Sequence, residues 1–198
     1  MTRPFALLAL PLCLMVSPVW ADPADDAAIA AFSAAYAEAC APAFDETGKL
    51  AEPPQRLEMT SPNSWGGDPT PVTLWHFTCM LGAYNMTSVV MVQSPAWGLV
   101  PQGFARPDLT IVTEDPANPE SPLKEVKIAG WSASPFLVNA EMDAATGRVF
   151  EFSKWRGLGD ASSTAEWQLV DEGFRLIRYE VDASYDDQIN PVTLIPAP

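Results

Sequence analysis

Residues 73–81 read TLWHFTCML, and this stretch decides the fold class because its side chains alternate with the period of a β-strand. Consecutive side chains of a strand point to opposite faces. One face of the stretch therefore carries Trp75, Phe77, Cys79 and Leu81. The spacing predicts a strand that turns an aromatic face, and with it a cysteine, toward the core.

Strand patterns recur from this stretch toward the C-terminal end of the chain. The candidate strands are Met86–Gln93, Leu109–Thr113, Leu123–Ala129, Phe136–Met142, Arg148–Trp155, Glu166–Val170 and Phe174–Val181. Asp143–Gly147 and Asp171–Gly173 separate neighbouring candidates and end in glycine, which adopts the positive φ that hairpin turns require. Because strand and helix patterns do not alternate, we expect a mainly β fold, an antiparallel sheet or sandwich of about eight strands.

One helix is expected before the strands, over about residues 23–41. Asp22 is a typical capping residue, and Pro23 suits the first helical position. Pro42 ends the helical pattern, and the apolar residues that recur at helical spacing before it are Ile29, Phe32, Tyr36 and Cys40. Residues 45–71 are rich in proline, glycine and serine, and we expect them to form a loop.

Residues 1–21 have the three parts of a secretory signal peptide. Arg3 supplies a positive start, an apolar run follows, and Ala21 ends a short stretch suited to a signal peptidase. The apolar run is shorter than the about 20 residues that span a bilayer, so a retained anchor is the weaker alternative, as is lipid attachment at Cys13. We expect residues 22–198 to be one mature domain, strand-rich over about 72–195, in the periplasm or outside the cell.

The charge balance restricts the partners. The chain has 11 Lys and Arg side chains against 25 Asp and Glu side chains, and its formal net charge is -14. Nucleic acids and anionic lipids require basic surfaces, so we expect neither as a partner. No second apolar run approaches membrane length, and we expect no membrane insertion after cleavage of the signal peptide. The acidity keeps a protein soluble, and it also suits a cationic envelope protein as partner.

Cys40 and Cys79 are the two cysteines that follow the signal peptide. In an oxidising compartment, two cysteines form a disulfide more often than a metal site. A metal site would need further ligands, and His76 is the one histidine of the chain. Both cysteines lie on apolar faces, one on the helix and one on the strand, so we predict that they are bonded to each other. We expect no metal and no cofactor.

The sequence shows no recognisable catalytic constellation, and we predict no catalytic residue. His76 would need a nucleophile and an orienting acid to act as a general base, and no Gly-x-Ser-x-Gly turn is present. Residues 182–187, DASYDD, contain ligands of the calcium type but lack the central glycine and closing glutamate of a calcium loop. A solvated acidic turn is the favoured interpretation. Carboxylate pairs of the glycosidase type can be recognised only from geometry.

Residues 154–160, KWRGLGD, are the most distinctive stretch of the sequence. Gly157 and Gly159 indicate a backbone that turns sharply or passes close to another segment. The charged and aromatic side chains around them are Lys154, Trp155, Arg156 and Asp160. These side chains form either a ligand-binding site or a structural corner in which Arg156 pairs with Asp160. We favour the corner.

Several short motifs occur in the order typical of a known family. The motifs are Cys79, Gly82–Asn85, Lys154–Asp160, Glu166-Trp167 and Phe174–Leu176. Through them, residues 75–180 resemble the exported bacterial family catalogued as domain of unknown function 1176. The resemblance implies an exported protein and assigns it no biochemical role. Relatives carry a cysteine directly after the Gly-Leu-Gly-Asp stretch and another near the C-terminus, whereas Ala161 fills the first position here.

Three functions are compatible with this sequence. The first is a non-catalytic binding or envelope-accessory domain. The alternatives are a periplasmic hydrolase whose dispersed carboxylates converge in space, and an inhibitor of a cationic enzyme such as a lysozyme. A pocket that holds two acids of raised pKa would favour the hydrolase, and a shallow groove would favour binding.

Overall fold

A computed structural model describes residues 22–118 and 120–198, and the signal peptide predicted for residues 1–21 lies outside the described residues. The helix α1 spans Pro23–Tyr36, and a 3₁₀ turn spans Ala41–Ala43. The strands are β1 Gln55–Ser61, β2 Thr70–Leu81, β3 Met86–Ser94, β4 Gly98–Pro101, β5 Phe104–Thr113, β6 Leu123–Ser134, β7 Phe136–Val138, β8 Glu141–Asp143, β9 Arg148–Lys154, β10 Ser162–Val170, β11 Gly173–Asp182 and β12 Val192–Ile195. The mainly β class with an N-terminal helix is confirmed.

The strands form two sheets and a ribbon, and their pairs are antiparallel, as predicted. Sheet I has the order β1-β2-β3-β4, with β7 also paired to β3. Sheet II has the order β12-β11-β10-β9-β8, and β5 pairs with β6 in the ribbon. The described residues contain twelve strands rather than about eight. Several of the additional strands are three or four residues long, too short for a strand period to show in the sequence.

β1 lies within residues 45–71, where the sequence predicts a loop. It pairs with β2 from Gln55 opposite His76 to Ser61 opposite Thr70. β1 is an edge strand, and most of its side chains are exposed or half-buried. Because β1 buries only Met59 and Ser61, it lacks the apolar alternation of a strand with one buried face, and its pattern is weak in the sequence.

α1 begins as predicted and ends earlier, at Tyr36 rather than near residue 41. Asp22 Oδ1 accepts a hydrogen bond from the backbone N of Ala24 at 3.0 Å, and Pro23 is the first helical residue. The backbone N of Cys40 still donates to the carbonyl of Tyr36 at 2.7 Å, but Pro42 has no N–H with which to continue such bonds. The chain passes instead into the 3₁₀ turn Ala41–Ala43. No helix within the described residues has the length and apolar character needed to span a membrane.

β2 lies at the centre of three layers. On one face, Leu74 packs into the core between sheets I and II. On the other face, Trp75 and Phe77 pack under α1, where the rings of Phe77 and Phe32 stack with their centroids 4.2 Å apart. The alternation of residues 73–79 therefore serves two cores, one on each side of sheet I.

Cys79 on β2 is bonded to Cys40 in the turn after α1, which confirms the predicted disulfide. Both residues are buried in the core beneath the helix. Leu81 is 74% exposed, although its spacing predicts a core position. The register of β2 with β3 shifts between Thr78 and Met80, so the side chains beyond the shift no longer face the helix.

Candidate functional site

The chain turns sharply after β9, and this corner is built around Arg156. Its Nε donates to Asp160 Oδ1 at 2.8 Å, and its Nη2 donates to Asp160 Oδ2 and, at 2.8 Å, to Asp187 Oδ1. The guanidinium also lies over the ring of Tyr185, 5.3 Å from the centroid. Asp160 accepts a further hydrogen bond from the backbone N of Asp187 at 3.0 Å. Arg156 and Asp160 therefore tie the corner to the loop that follows β11.

The ion pair of the corner forms only when Asp160 is ionised. The side chain of Asp160 is 4% exposed, and its hydrogen bonds from Arg156 hold its pKa well below the usual range. A carboxyl with a depressed folded pKa stabilises the fold above its unfolded pKa, near 4. That contribution is present at neutral pH and is lost as the pH falls from about 4 toward the folded pKa.

Gly159→Ala is expected to destabilise the protein by about 1 kcal/mol or more, whereas Gly157→Ala is expected to be nearly neutral. Gly159 has a φ of +78°, a conformation that residues with a side chain rarely adopt. Gly157 lies outside that region, and a methyl group there would meet Tyr84 Cδ1 only at 3.9 Å. Urea denaturation of the two variants measures the difference. Equal losses would contradict this account of the turn.

An asparagine pair joins the corner to sheet I. Asn85 Nδ2 donates to the carbonyl of Lys154 at 2.8 Å, and the backbone N of Lys154 donates to Asn85 Oδ1 at 3.3 Å. Asn139 donates to Asn85 Oδ1 at 2.8 Å and to the carbonyl of Phe152 at 2.9 Å. Residues 82–85 and 154–160, distant in sequence, therefore meet in the fold. Nothing in the sequence marks Asn139 as part of this link, because it is an isolated polar residue between two short strands.

Two adjacent grooves, one apolar and one acidic, lie beside the corner, and together we call them the corner cleft. Its apolar part has a volume of about 420 Å³. It is lined by side chains of the ribbon, the corner and the loop after β11, namely Ile111, Val112, Thr113, Pro116, Trp155, Ala183 and Tyr185. Trp155 also packs against the core between the sheets, which fixes its ring. Of the four residues predicted at the corner, Trp155 is the one that lines this part of the cleft.

The acidic part of the corner cleft has a volume of about 550 Å³ and shares two lining residues with the apolar part. Its acidic side chains are Glu120, Asp182 and Asp186. Asp182 is buried and accepts hydrogen bonds from Ser184 Oγ at 2.6 Å and from the backbone N of Asn190 at 2.7 Å. The turn predicted to be solvated is therefore organised around a buried carboxylate. Within the described residues, no group of three or more His, Cys, Asp or Glu side chains is placed to hold a metal ion.

His76 lies on β2, away from the corner, and is half-buried. Burial lowers the pKa of His76, so the neutral imidazole is favoured. Its Nε2 is buried and has no hydrogen-bond partner among the described residues. The described residues do not provide His76 with the orienting acid that a general base needs.

The carboxyl groups whose pKa departs clearly from its ordinary value all shift downward. Among the described residues they are Asp22, Asp45, Asp143, Asp160, Asp171 and Glu180. In each case, the largest cause is a hydrogen bond donated to the carboxylate. These groups are ionised at neutral pH, whereas a carboxyl that acts as a general acid needs a raised pKa.

The family described as "Protein of unknown function (DUF1176)" matches residues 70–184, more than half of the chain, and the chain belongs to this family. The match includes β2 with Cys79, the asparagine pair, the corner and most of the loop segments that line the corner cleft. No curated protein matches the chain, and no solved structure matches it.

Proposed function

We propose that this member of the family is an exported, non-catalytic binding domain of the cell envelope whose corner cleft docks a cationic segment of a partner protein. The observation that carries the proposal is that an aromatic groove and an acidic groove lie next to each other and share Ala183 and Tyr185 as wall residues. Protein docking sites combine a fixed apolar anchor with charged groups at the rim, which set orientation and partner choice.

A lysine or arginine side chain fits both parts of the cleft. Such a side chain has an apolar stem and a charged head. The stem would lie against Trp155 and Tyr185, and the head would face Glu120 and Asp186. The formal net charge of -14 would raise the rate at which a cationic partner meets this surface.

In this proposal, the corner holds the walls of the cleft in place. Arg156 directs its hydrogen bonds to Asp160 and Asp187 and thereby holds the loop that carries Tyr185. Trp155, which precedes it, supplies the other aromatic wall. The binding and structural interpretations of residues 154–160 therefore apply to different side chains of the same stretch.

Export is supported by the leader pattern of residues 1–21 and by the buried disulfide, since disulfides persist in oxidising compartments. Asp160 and Glu180, whose pKa values are lowered by hydrogen bonds, are unsuited to act as general acids, and neither lines the corner cleft. An inhibitor of a cationic enzyme would use the same cleft, with the enzyme as its cationic partner.

The test uses the full chain expressed with its leader in a Gram-negative host. The mature protein should be recovered from the periplasm with Asp22 as its first residue. It is then immobilised and exposed to a periplasmic extract and, separately, to a purified cationic lysozyme, at about 0.15 M and about 0.5 M salt. Capture that persists at the higher salt distinguishes docking from general charge attraction.

The decisive variant is Glu120→Lys/Asp186→Lys, which reverses the charge of the cleft. Its matched control is Glu38→Lys/Glu46→Lys, which makes the same change in net charge at exposed positions outside the cleft. We expect the cleft variant to lose about tenfold or more in affinity for the captured partner, and the control to lose less than about threefold. Equal losses, or a precursor that stays uncleaved inside the cell, would contradict the proposal.

A further inference from the structure

The outward face of sheet II carries an ordered row of side chains away from the corner cleft. Across β8, β9, β10 and β11, the directly opposed residues are Glu141, Phe150, Glu166 and Arg178. Opposed side chains in an antiparallel pair have their Cβ atoms about 5 Å apart. Phe150 therefore has a glutamate beside it on each neighbouring strand.

A trough runs along this face, and we call it the sheet trough. Its volume is about 340 Å³, within the range of small-molecule sites. Its floor includes two neighbouring aromatic side chains of β9, Phe150 and Phe152, which are 40% and 36% exposed. Phe152 lies opposite Thr164, which lies opposite Glu180, so a second row with one carboxylate borders the first. None of the residues that line the trough also lines the corner cleft.

The trough contains more negative than positive charge. Arg148 Nη1 lies 2.6 Å from Glu166 Oε1, and Arg178 Nη2 lies 2.7 Å from Glu180 Oε1. Glu141 forms no side-chain hydrogen bond or ion pair with the other described residues, and it is exposed beside Phe150. Four glutamates line the trough, and three of them are paired, Glu151 with Arg106, Glu166 with Arg148 and Glu180 with Arg178. Glu141 therefore leaves an excess of one negative charge beside the aromatic floor.

We infer that the sheet trough binds a small organic cation, an ammonium ion carried on an apolar body. A cation above the face of an aromatic ring is attracted by the ring's quadrupole, and here it would also lie between the carboxylates of Glu141 and Glu166. The apolar body would cover Phe152. The charge of Glu141, which has no ion-pair partner among the described residues, disfavours an anion, and a neutral ligand would gain nothing from it. The volume of the trough favours a free small molecule over a folded partner.

Three probes of similar size test the inference, namely benzyltrimethylammonium, benzyl alcohol and phenylacetate. They carry a positive charge, no charge and a negative charge on the same ring. Calorimetric titration of the mature protein should show saturable binding of the cation, with at least about fivefold weaker binding of the alcohol and none of the anion. Backbone amide shifts should locate the bound cation on β9 and β10.

Two variants assign the binding to named groups. Phe150→Leu keeps an apolar floor without a π face, and Glu141→Gln keeps the size of the side chain without its charge. We expect each variant to weaken binding of the cation by about fivefold. Glu46→Gln, with the same loss of charge at an exposed position outside the trough, should change it less than twofold.

The inference is overturned if none of the probes binds, if the alcohol binds as tightly as the cation, or if Glu141→Gln and Glu46→Gln behave alike. Amide shifts confined to residues 182–187 would also overturn it, because they would place the cation in the corner cleft. The proposed docking function rests on a different surface and would survive that result.

Discussion

Replacing Cys79 with serine is expected to lower the free energy of unfolding by about 4 kcal/mol. The bond to Cys40 closes a loop with a sequence separation of 39. Its removal increases the conformational entropy of the unfolded chain. The bond also holds the turn after α1 against β2, where Trp75 and Phe77 are buried under the helix. A weaker attachment of α1 would expose these two rings, and the lost packing would add to this loss of chain entropy.

Urea denaturation of the oxidised protein, the reduced protein and the serine variants measures this loss. Cys40→Ser, Cys79→Ser and the double variant should lose about the same amount, because each removes the same bond. The reduced wild-type protein is the matched control, since it lacks the bond and keeps the sulfur atoms. Two free thiols in the unfolded, unreduced exported protein, or a loss below about 1 kcal/mol, would contradict the assigned role of the disulfide.

The elements that sequence patterns predict well are those with a strong local determinant. The alternation of residues 73–79 reflects a central strand with one fully buried face and one half-buried face, and the start of α1 is determined by the side chain of Asp22. Gly147 has the positive φ expected of the turn between β8 and β9. Each of these features depends on the chemistry of a few adjacent residues, which is what a sequence displays.

The turn between β10 and β11 shows where local chemistry is insufficient. Glycine at position 173 suggests the residue of positive φ, but Asp171 and Glu172 take that conformation, with φ of 51° and 61°. Asp171 accepts hydrogen bonds from Ser64, and Glu172 accepts one from the backbone N of Ala96 at 2.9 Å. Bonds to distant loops therefore hold two residues in a conformation that their own preference opposes.

The candidate sites are predictable from the sequence only in part. Residues 154–160 stand out because of their glycines and opposite charges, and the acids of residues 182–187 are visible in the sequence. The sequence does not show that these two segments lie beside Ile111 and Val112 of the ribbon, because that contact depends on tertiary packing. The sheet trough likewise requires the register of four strands, and a shift by one residue would turn Phe150 inward.

No sequence pattern predicts the buried ion pair of Arg106 and Glu151. Removal of one partner should lower the free energy of unfolding strongly. The side chain of Glu151 is 1% exposed, and Arg106 donates to both of its carboxylate oxygens. Arg106 also donates to the carbonyl of Phe136 at 2.9 Å, and the backbone N of Val138 donates to Glu151 at 2.8 Å. The pair thus satisfies backbone groups of β7 and links this strand of sheet I to β9 of sheet II.

Glu151→Ala is therefore expected to lower the free energy of unfolding by about 3–5 kcal/mol. It leaves the largely buried charge of Arg106 without a counterion, and it leaves the N–H of Val138 without an acceptor. Arg106→Met/Glu151→Leu should recover most of this loss, since an apolar pair of similar size leaves no buried charge. Glu125→Ala, which breaks an exposed pair with Lys127, is the matched control and should cost less than about 1 kcal/mol. Denaturant titration of the three variants distinguishes the causes. If the double variant is as unstable as Glu151→Ala, the loss comes from packing and the vacated backbone bonds, and the unpaired charge of Arg106 is not its source.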